Sequence, residues 1–262
     1  MSQFTKYPDI ERLGHDDNRE ILAYVEDIIV VEEKVDGGNG SFWVDKDGIH
    51  FGTRNRDLTE EMDSNTFSRQ RIALIDLLEG KPINPDYFYY IEWMAPHTIS
   101  YTKAPQVIGL DIRLKKSMAE EHGLFLGVKQ KQKEFERLGI EFVPVLWEGT
   151  VKDLLKLEIT KLITTSKYYD GVMEGIVIKN YNRKSSQGNY QLMAKVVTDE
   201  FKENNKAVFG GIKKPVSDTE KIFHEFTTDA RIKKVIMKRV NEFNEPLDLT
   251  LMKVVPSEVI KD

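Results

Sequence analysis

The chain contains no cysteine and no long apolar run, and each absence excludes a class of function. Without cysteine among its 262 residues there are no disulfides, thiolate zinc sites or cysteine nucleophiles, so any chemistry falls to lysine, carboxylates, histidine or hydroxyls. No apolar stretch approaches the roughly eighteen residues of a membrane span, and no basic segment followed by an apolar one opens the chain. We therefore expect a cytoplasmic protein without a membrane partner.

The chain also lacks an excess of positive charge. Its formal net charge of −5 argues against a broad basic surface for nucleic acid. From residue 201 onward, 12 lysines and arginines stand against 10 acidic residues, so this tail carries +2 and the part before it −7. The basic run 233–239 in the tail is typical of a solvated helix face or of a surface that touches a nucleic-acid backbone. Any contact with nucleic acid is therefore expected to be local.

The pattern of apolar residues predicts one large unit of strands and helices followed by a helical tail, with a boundary at 197–211. Runs rich in β-branched and aromatic residues between turn formers predict strands at 28–34, 41–44, 49–54, 87–93, 106–112, 140–147, 175–179 and 190–197. The polar segment 180–189 is predicted to be a loop. Helical spacing predicts helices beginning at 63 or 64 and ending before Gly80, and over 129–138, 151–163, 201–209 and 228–243.

Charged residues recur in or beside these predicted strands, where a purely structural strand disfavours them. Lys34 follows an apolar strand and precedes a glycine turn in Glu32-Glu33-Lys34-Val35-Asp36-Gly37. A match to Lys-x-Asp-Gly alone is a weak signal. It is strengthened by an ordered set of segments downstream: Gly52-Thr53-Arg54, Ile91-Glu92-Trp93, Glu174-Gly175-Ile176-Val177-Ile178-Lys179 and Met193-Ala194-Lys195-Val196-Val197.

These lysines suit a nucleophile that attacks phosphate. A free lysine has a pKa of about 10.4 and is protonated at neutral pH, so it must be deprotonated before it can attack. Neighbouring cations and partial burial lower the pKa of a lysine. We expect Lys179 and Lys195 to have this effect on Lys34 and to hold an α-phosphate. A single lysine at a strand end is as readily explained by a side chain that reaches into water.

With these motifs the chain resembles the covalent nucleotidyltransferase superfamily of ATP-dependent RNA and DNA ligases and mRNA capping enzymes, and is most similar to the RNA ligase 2 type. The resemblance covers about residues 30–200. It implies an α+β adenylyltransferase domain of twisted antiparallel sheets flanked by helices over 1–205, and a small helical C-terminal domain over 206–262. It also implies a monomeric ligase that uses ATP and Mg²⁺ to join 5′-phosphate and 3′-hydroxyl RNA ends, as in phage RNA repair.

The resemblance also implies roles for individual residues. Lys34 would become linked to AMP, Glu174 would serve the metal ion, and Glu92 would accept a hydrogen bond from the ribose. Arg54 would contact the nucleotide or an RNA 5′-phosphate, and Asn39 would contact the nucleic acid. The other expected nucleotide contacts are Glu32, Glu33, Asp36, Leu110, Asp111, Lys179 and Lys195.

The chain departs from the family pattern at three positions. Leu110 stands where an aromatic residue commonly stacks on adenine, so only an apolar face is expected there. Val197 replaces the second lysine of the last motif, with Lys202 and Lys206 as candidate substitutes. Asp36 replaces the histidine of the RNA ligase 2 type, as in DNA ligases.

The alternatives are a minimal DNA ligase, a capping guanylyltransferase and a non-catalytic nucleic-acid-binding domain. The first two usually carry a β-rich oligonucleotide-binding module after the last motif, whereas the tail of this chain is predicted to be helical. A non-catalytic domain would be expected to lack some of the site residues, and only the second lysine of the last motif is missing. These comparisons favour an RNA ligase.

Overall fold

A computed structural model of the protein describes residues 4–58, 66–95, 99, 101–115, 125–184, 191–198, 229–243 and 255. Two four-stranded antiparallel sheets form its body. Sheet A has the strand order β6-β1-β7-β8, with β1 (Ile28–Lys34), β6 (Val145–Thr150), β7 (Gly175–Lys184) and β8 (Gln191–Val197). Sheet B has the order β3-β2-β4-β5, with β2 (Gly38–Asp45), β3 (Gly48–Thr53), β4 (Tyr87–Trp93) and β5 (Val107–Leu114). The predicted α+β class with antiparallel sheets is confirmed.

Four α-helices are described: α1 (Ser68–Leu78), α2 (Val128–Leu138), the single turn α3 (Val151–Leu154), and α4 (Asp229–Phe243). Short 3₁₀ turns lie at Asp16–Asn18 and Ile159–Leu162. Helix α2 ends at Gly139, whose φ of 70° is readily adopted only by glycine. In the part of the chain that the structure describes, no helix is both long and apolar enough to cross a membrane.

Each sheet buries one face against its own apolar cluster, because successive side chains of a strand point to opposite faces. In sheet B, Phe42, Tyr89 and Trp93 pack with Leu74 of α1 and Phe135 of α2. In sheet A the cluster on the corresponding outer face comprises Ile21, Ile29, Val31, Val151, Leu154, Met173, Ile176, Ile178, Leu192 and Ala194. The opposite face of each sheet is therefore turned towards the other sheet.

A smaller aromatic cluster joins the two inner faces. Trp43, Phe88 and Tyr90 of sheet B pack with Met193 of sheet A and with Tyr7 from the N-terminal segment. The Tyr7 and Tyr90 rings lie 4.8 Å apart, and the Tyr7 hydroxyl is 3.7 Å from the Met193 sulfur. The sheets are thus held together on one side by apolar contacts, and their remaining inner faces carry the polar residues of the motifs.

Several predicted boundaries differ from the structure. Strands 28–34 and 87–93 are confirmed to the residue, but the strand predicted over 140–147 begins only at Val145. Pro144 has no N–H to donate to a ladder, although its carbonyl accepts a bond from the Glu33 amide. Ile140 and Val143 are buried, and the backbone at Phe142 forms only an isolated bridge with Gly109 of β5, so this part of the run is not a regular strand. The first half of the loop predicted over 180–189 is also strand, since β7 continues to Lys184.

The predicted helices also differ in extent. The helix predicted over 151–163 stops at Leu154, because the following amides bond to carbonyls three residues back in tighter turns. Helix α1 begins at Ser68, and the capping residues predicted for it, Asp63 and Ser64, lie outside the described residues. The helix predicted over 228–243 is confirmed as α4. The helix predicted over 201–209 and the domain boundary at 197–211 fall almost wholly outside the described residues.

Candidate active site

Lys34 is the last residue of β1 and forms an ion pair with Glu174. The distance between Lys34 Nζ and Glu174 Oε2 is 2.6 Å, and the two side chains are 25% and 8% exposed. Register explains this pairing, since Lys34 lies opposite Gly175 of β7 and Glu174 immediately precedes that strand. A side chain at Gly175 would place its Cβ 2.2 Å from the Val196 carbonyl oxygen, so only glycine fits between the strands here.

Two further carboxylates lie close enough to act on the Lys34 ammonium. Burial acts to lower the pKa of Lys34, but the charge and hydrogen bond of Glu174 and the charges of Glu92 and Asp36 outweigh it and raise the pKa. The expectation that neighbouring lysines lower this pKa is therefore wrong for the state in the structure. Lys34 is held as a charged, paired ammonium, and it needs a change in its surroundings before it can act as a nucleophile.

Glu92 projects from β4 beside the glycine turn that follows Lys34. The Gly37 amide donates to Glu92 Oε1 at 3.1 Å, and Asn39 pairs with Glu92 across the strands. A Cβ at Gly37 would lie 2.8 Å from Glu92 Cγ and 2.6 Å from the Trp93 carbonyl oxygen, so glycine allows this close approach. Burial, together with the charges of Glu174 and Asp36, raises the pKa of Glu92 to about 8. Glu92 is thus mostly protonated at neutral pH, and its negative charge acts on Lys34 only at pH values above the pKa of Glu92.

Replacing Glu92 with glutamine should remove part of the pH dependence of stability. The folded-state pKa lies above the unfolded value of about 4.3, so wild-type stability falls as pH rises between these two values, by at most about 1.4 kcal/mol per pH unit. The Glu92→Gln variant should lose less stability than the wild type between about pH 5 and about pH 8. Urea unfolding at both pH values measures this difference. Glu79→Gln, at an exposed position, serves as the control, and a Glu92→Gln profile that matches the wild type would contradict the raised pKa.

Lys195 lies on the same face of sheet A as Lys34. It pairs with Val177, as Lys34 pairs with Gly175, and residues two apart on β7 share a face. Burial lowers the pKa of Lys195 to about 8, assisted by the charges of Lys34, Lys234 and Arg54. The crowding of cations that the sequence predicts for Lys34 is therefore found at Lys195.

Three of the predicted nucleotide contacts, Glu32, Asp111 and Lys179, instead form a buried ionic cluster. Lys179 Nζ lies 2.6 Å from both Glu32 Oε2 and Asp111 Oδ2, and all three side chains are almost fully buried. Lys131 Nζ approaches Glu32 Oε1 at 2.6 Å and Asp111 Oδ1 at 3.0 Å. Burial acts to raise the pKa of Asp111, but the two lysines outweigh it and hold the pKa well below its usual range. In this structure Lys179 therefore neutralises protein carboxylates.

Lys131 was not identified from the sequence. It lies on α2 within the stripe Val128, Lys131, Phe135 and Leu138, where the helical period calls for an apolar residue. A lysine inside an apolar stripe is the signal that could have identified it, because such a position requires a buried acidic partner. Lys131 also donates to the Tyr181 hydroxyl at 2.7 Å and to the Leu110 carbonyl at 2.8 Å.

Substituting Lys131 with methionine should strongly destabilise the fold. Removing one partner of a buried ion pair leaves uncompensated charge and typically costs about 3 to 5 kcal/mol. Lys131 is fully buried, so solvent cannot replace it. Urea unfolding should show this loss for Lys131→Met, whereas Lys133→Met, exposed on the same helix, should change the unfolding free energy by less than about 0.5 kcal/mol. Equal stability of the two variants would contradict an essential role for the cluster.

The remaining predicted residues have separate partners. Glu33 points to the other face of β1, where it accepts hydrogen bonds from the Ser166 hydroxyl and the Lys167 amide. Asp36 accepts a hydrogen bond from the Ile99 amide at 2.9 Å, and Arg54 is ion-paired with Asp9 at a half-exposed position. Leu110 packs between two apolar clusters. Alternation along β1 thus separates Glu33 from Lys34, which the motif alone does not reveal.

The acidic residues at the site do not form a complete metal centre by themselves. Among the described residues, no group of three histidine or acidic side chains is placed to hold a metal ion. Mg²⁺ is commonly bound by one or two carboxylates together with water and substrate phosphates. Glu174, whose carboxylate faces Lys34, fits a metal ion that arrives with a triphosphate.

Solved RNA ligases have a similar fold. The RNA ligase of Naegleria gruberi with PPi aligns with a TM-score of 0.54 at 15% identity, over 79% of this chain and 59% of that chain. A mutant of that enzyme with ATP and Mn gives 0.53 at 14% identity, over 77% and 57%. An archaeal ATP-dependent RNA ligase gives 0.50 at 13% identity, over 98% and 62%. The fold is therefore of the ligase nucleotidyltransferase type, and the chain spans about three fifths of the length of these proteins.

A family model described as RNA ligase matches residues 27–197, well over half of the chain. The protein belongs to the RNA ligase family. The matched range contains Lys34, Glu92, Glu174 and Lys195, so the site described above lies wholly within it. A comparison with curated proteins finds no match.

Proposed function

We propose that the protein is an ATP-dependent RNA ligase that forms a lysyl-AMP intermediate on Lys34. The observation that carries this proposal is the position of Lys34 at the end of β1 on the inner face of sheet A, paired with Glu174 and beside Lys195 and Glu92. Lys34 has a carboxylate partner, a second cation and a buried carboxyl group around it. This arrangement is better suited to transferring a nucleotidyl group than to a purely structural role. Membership of the RNA ligase family supports RNA as the strand that is joined.

In the first step the unprotonated Lys34 amine attacks the α-phosphorus of ATP. A bond forms between Lys34 Nζ and phosphorus, the bond from that phosphorus to the bridging oxygen breaks, and pyrophosphate leaves. The amine loses one of its two protons to solvent as the bond forms, and the phosphoramidate nitrogen keeps the other. Reactions of this kind depend mainly on positioning and on neutralising phosphate charge. Lys195, on the same sheet face, would stabilise the charge on the α-phosphate.

In this proposal Glu174 controls whether Lys34 is protonated. Its charge keeps Lys34 protonated in the structure, so a ligand that competes for the Glu174 carboxylate would lower the pKa of Lys34. Mg²⁺ bound with the triphosphate would neutralise part of the phosphate charge. Glu174 would hold that ion and, in doing so, release Lys34 for deprotonation.

We assign the other predicted residues to contacts along the nucleotide. Glu92, held beside Gly37, would bond a ribose hydroxyl, and Leu110 would offer an apolar surface to the base. Arg54 presents a fork of donors that suits phosphate oxygens, either of the nucleotide or of an RNA 5′-phosphate. We propose that Glu32, Asp111 and Lys179 shape the floor of the site through their mutual ion pairs.

The later steps transfer AMP from Lys34 to an RNA 5′-phosphate, which a 3′-hydroxyl then attacks to release AMP and seal the strand. Asp36 and Asn39 lie close to the glycine turn after Lys34 and are proposed to serve these steps. Residues 1–205 would form the adenylyltransferase domain of a monomer, and 206–262 would form a C-terminal domain that includes α4.

Labelling with radioactive nucleotide tests this function. The protein is incubated in parallel with α-labelled ATP and α-labelled GTP in the presence of Mg²⁺, and then separated on a denaturing gel. A band labelled by ATP alone supports a ligase, a band labelled by GTP indicates a capping enzyme, and the absence of any labelled band indicates a non-catalytic domain. Sealing of nicked RNA and nicked DNA duplexes by the labelled protein then separates an RNA ligase from a DNA ligase.

A further inference from the structure

The turn of residues 35–37, which follows Lys34, is held by a segment that comes after β4. The Asp36 amide donates to the Tyr101 hydroxyl at 2.8 Å, and Asp36 Oδ2 accepts a hydrogen bond from the Ile99 amide at 2.9 Å. Asp36 is buried, so its amide needs an acceptor within the protein. The Tyr101 hydroxyl therefore fixes the path of the backbone two residues after Lys34.

The Tyr101 ring is in turn held by the loop that leads to Glu174. The ring lies edge-on to the rings of Tyr168 and Tyr169, at centroid distances of 6.3 and 5.4 Å. Edge-to-face contacts between aromatic rings at such distances are favourable. The Lys103 amide donates to the Tyr168 carbonyl at 2.9 Å and ties the same segment to the loop a second time. Tyr101 thus connects this loop to the turn described above.

Glu33 holds the same loop from the other side of Lys34. Its carboxylate accepts hydrogen bonds from the Ser166 hydroxyl and, at 3.3 Å, from the Lys167 amide. The backbone is therefore anchored to this loop both before and after Lys34. Anchoring at two points restricts the motion of the residue between them, and attack on phosphorus depends on such restriction.

We propose that Tyr101 is a positioning residue for the transfer of AMP to Lys34. Its hydroxyl fixes the backbone after Lys34, and its ring fixes the loop before Glu174, so that the nucleophile and its carboxylate partner keep their separation and direction. This inference rests on the proposed function, because it assigns a role in the same reaction. Tyr101 lies outside every motif of the sequence, and its role follows from these contacts.

The Tyr101→Phe variant of the full chain tests the inference, because it removes the hydroxyl and keeps the ring. Without its acceptor the Asp36 amide must shift, and a displacement of about 1 Å can slow a reaction by as much as about 100-fold. We expect the rate constant of labelling at saturating ATP to fall about tenfold, and the ATP concentration that gives half of this rate to stay within about twofold. The rate constant, unlike the labelled fraction, does not depend on how much of the protein is folded.

Tyr89→Phe is the matched control. The Tyr89 hydroxyl likewise accepts a hydrogen bond from a backbone amide, that of Asn84 at 3.2 Å, and its ring is buried in the apolar cluster on the outer face of sheet B. This variant should lose stability on urea unfolding and still be labelled with the wild-type rate constant. A further measurement needs no variant, because the Asp36 amide of the wild-type protein should be protected from hydrogen exchange.

The outcomes separate this inference from the proposed function. An unchanged rate constant in Tyr101→Phe, even with a smaller labelled fraction, would overturn the inference and leave the ligase assignment standing. Equal slowing in Tyr101→Phe and Tyr89→Phe would also overturn it, because the effect would then be one of general stability. Rapid exchange of the Asp36 amide in the wild-type protein would do the same. If the wild-type protein were not labelled by ATP, the proposed function itself would fail.

Discussion

Replacing Lys34 with alanine is expected to abolish labelling of the protein by ATP, with a loss of more than about 1000-fold in rate. The methyl side chain of alanine has no nitrogen to attack phosphorus, and among the described residues no other lysine is paired with Glu174. Labelling on a denaturing gel measures the effect. Lys34→Arg should be equally inactive, because a guanidinium retains the charge but stays protonated.

The fold should survive this substitution. Lys34 lies at the end of its strand and is 25% exposed, so its loss leaves a site that water can enter. Circular dichroism and urea unfolding should show a folded variant. Undiminished labelling of folded Lys34→Ala protein would place the nucleophile elsewhere and refute the site.

Replacing Glu174 with glutamine should give the second largest loss, about 100-fold in the rate of labelling. Glutamine retains a similar shape but removes the charge that pairs with Lys34 and that is proposed to hold the metal ion. The variant should need more Mg²⁺ to reach its half-maximal rate. Glu148→Gln, exposed on β6 of the same sheet, is the control and should match the wild type.

The pH dependence of the residual activity tests the role of the ion pair. Glu174 raises the pKa of Lys34 above its usual value, whereas burial alone would lower it. Without the carboxylate the pKa of Lys34 falls in the nucleotide-free protein, so at subsaturating ATP the labelling rate of Glu174→Gln should reach its plateau at a lower pH than that of the wild type. An unchanged rate, Mg²⁺ requirement and pH profile together would show that Glu174 is only structural.

Secondary structure could be predicted where the local sequence pattern alone determines it. Strands β1 and β4 match their predicted bounds because apolar and β-branched residues run unbroken between turn formers. The strand predicted over 140–147 was too long, because the ladder with β1 begins only at Val145 and Phe142 forms a single isolated bridge with Gly109. Apolar residues indicate burial but do not fix where a ladder of hydrogen bonds begins. The helix predicted over 151–163 was wrong for a related reason, since apolar spacing there does not fix the hydrogen bonds of successive turns.

The candidate site was predictable in its membership but not in its pairing. Lys34, Glu92, Glu174 and Lys195 were identified because charged residues in strands need an explanation. Lys131 was missed because its partners, Glu32 and Asp111, are distant in sequence and only the packing of α2 brings them together. Glu33 was grouped with Lys34 although alternation along β1 turns it to the other face.

The sequence by itself determined the order of the motifs and the class of fold, and it identified the lysine that we propose as the nucleophile. These follow from residue type and local spacing, which the chain carries without folding. Only the tertiary structure decided which charges meet: Lys179 is neutralised by Glu32 and Asp111, and Lys34 by Glu174, 140 residues away. Electrostatic energy depends on distance and on burial, and both are set by packing. The direction of the pKa shift of Lys34 could therefore be known only once the sheets had been assembled.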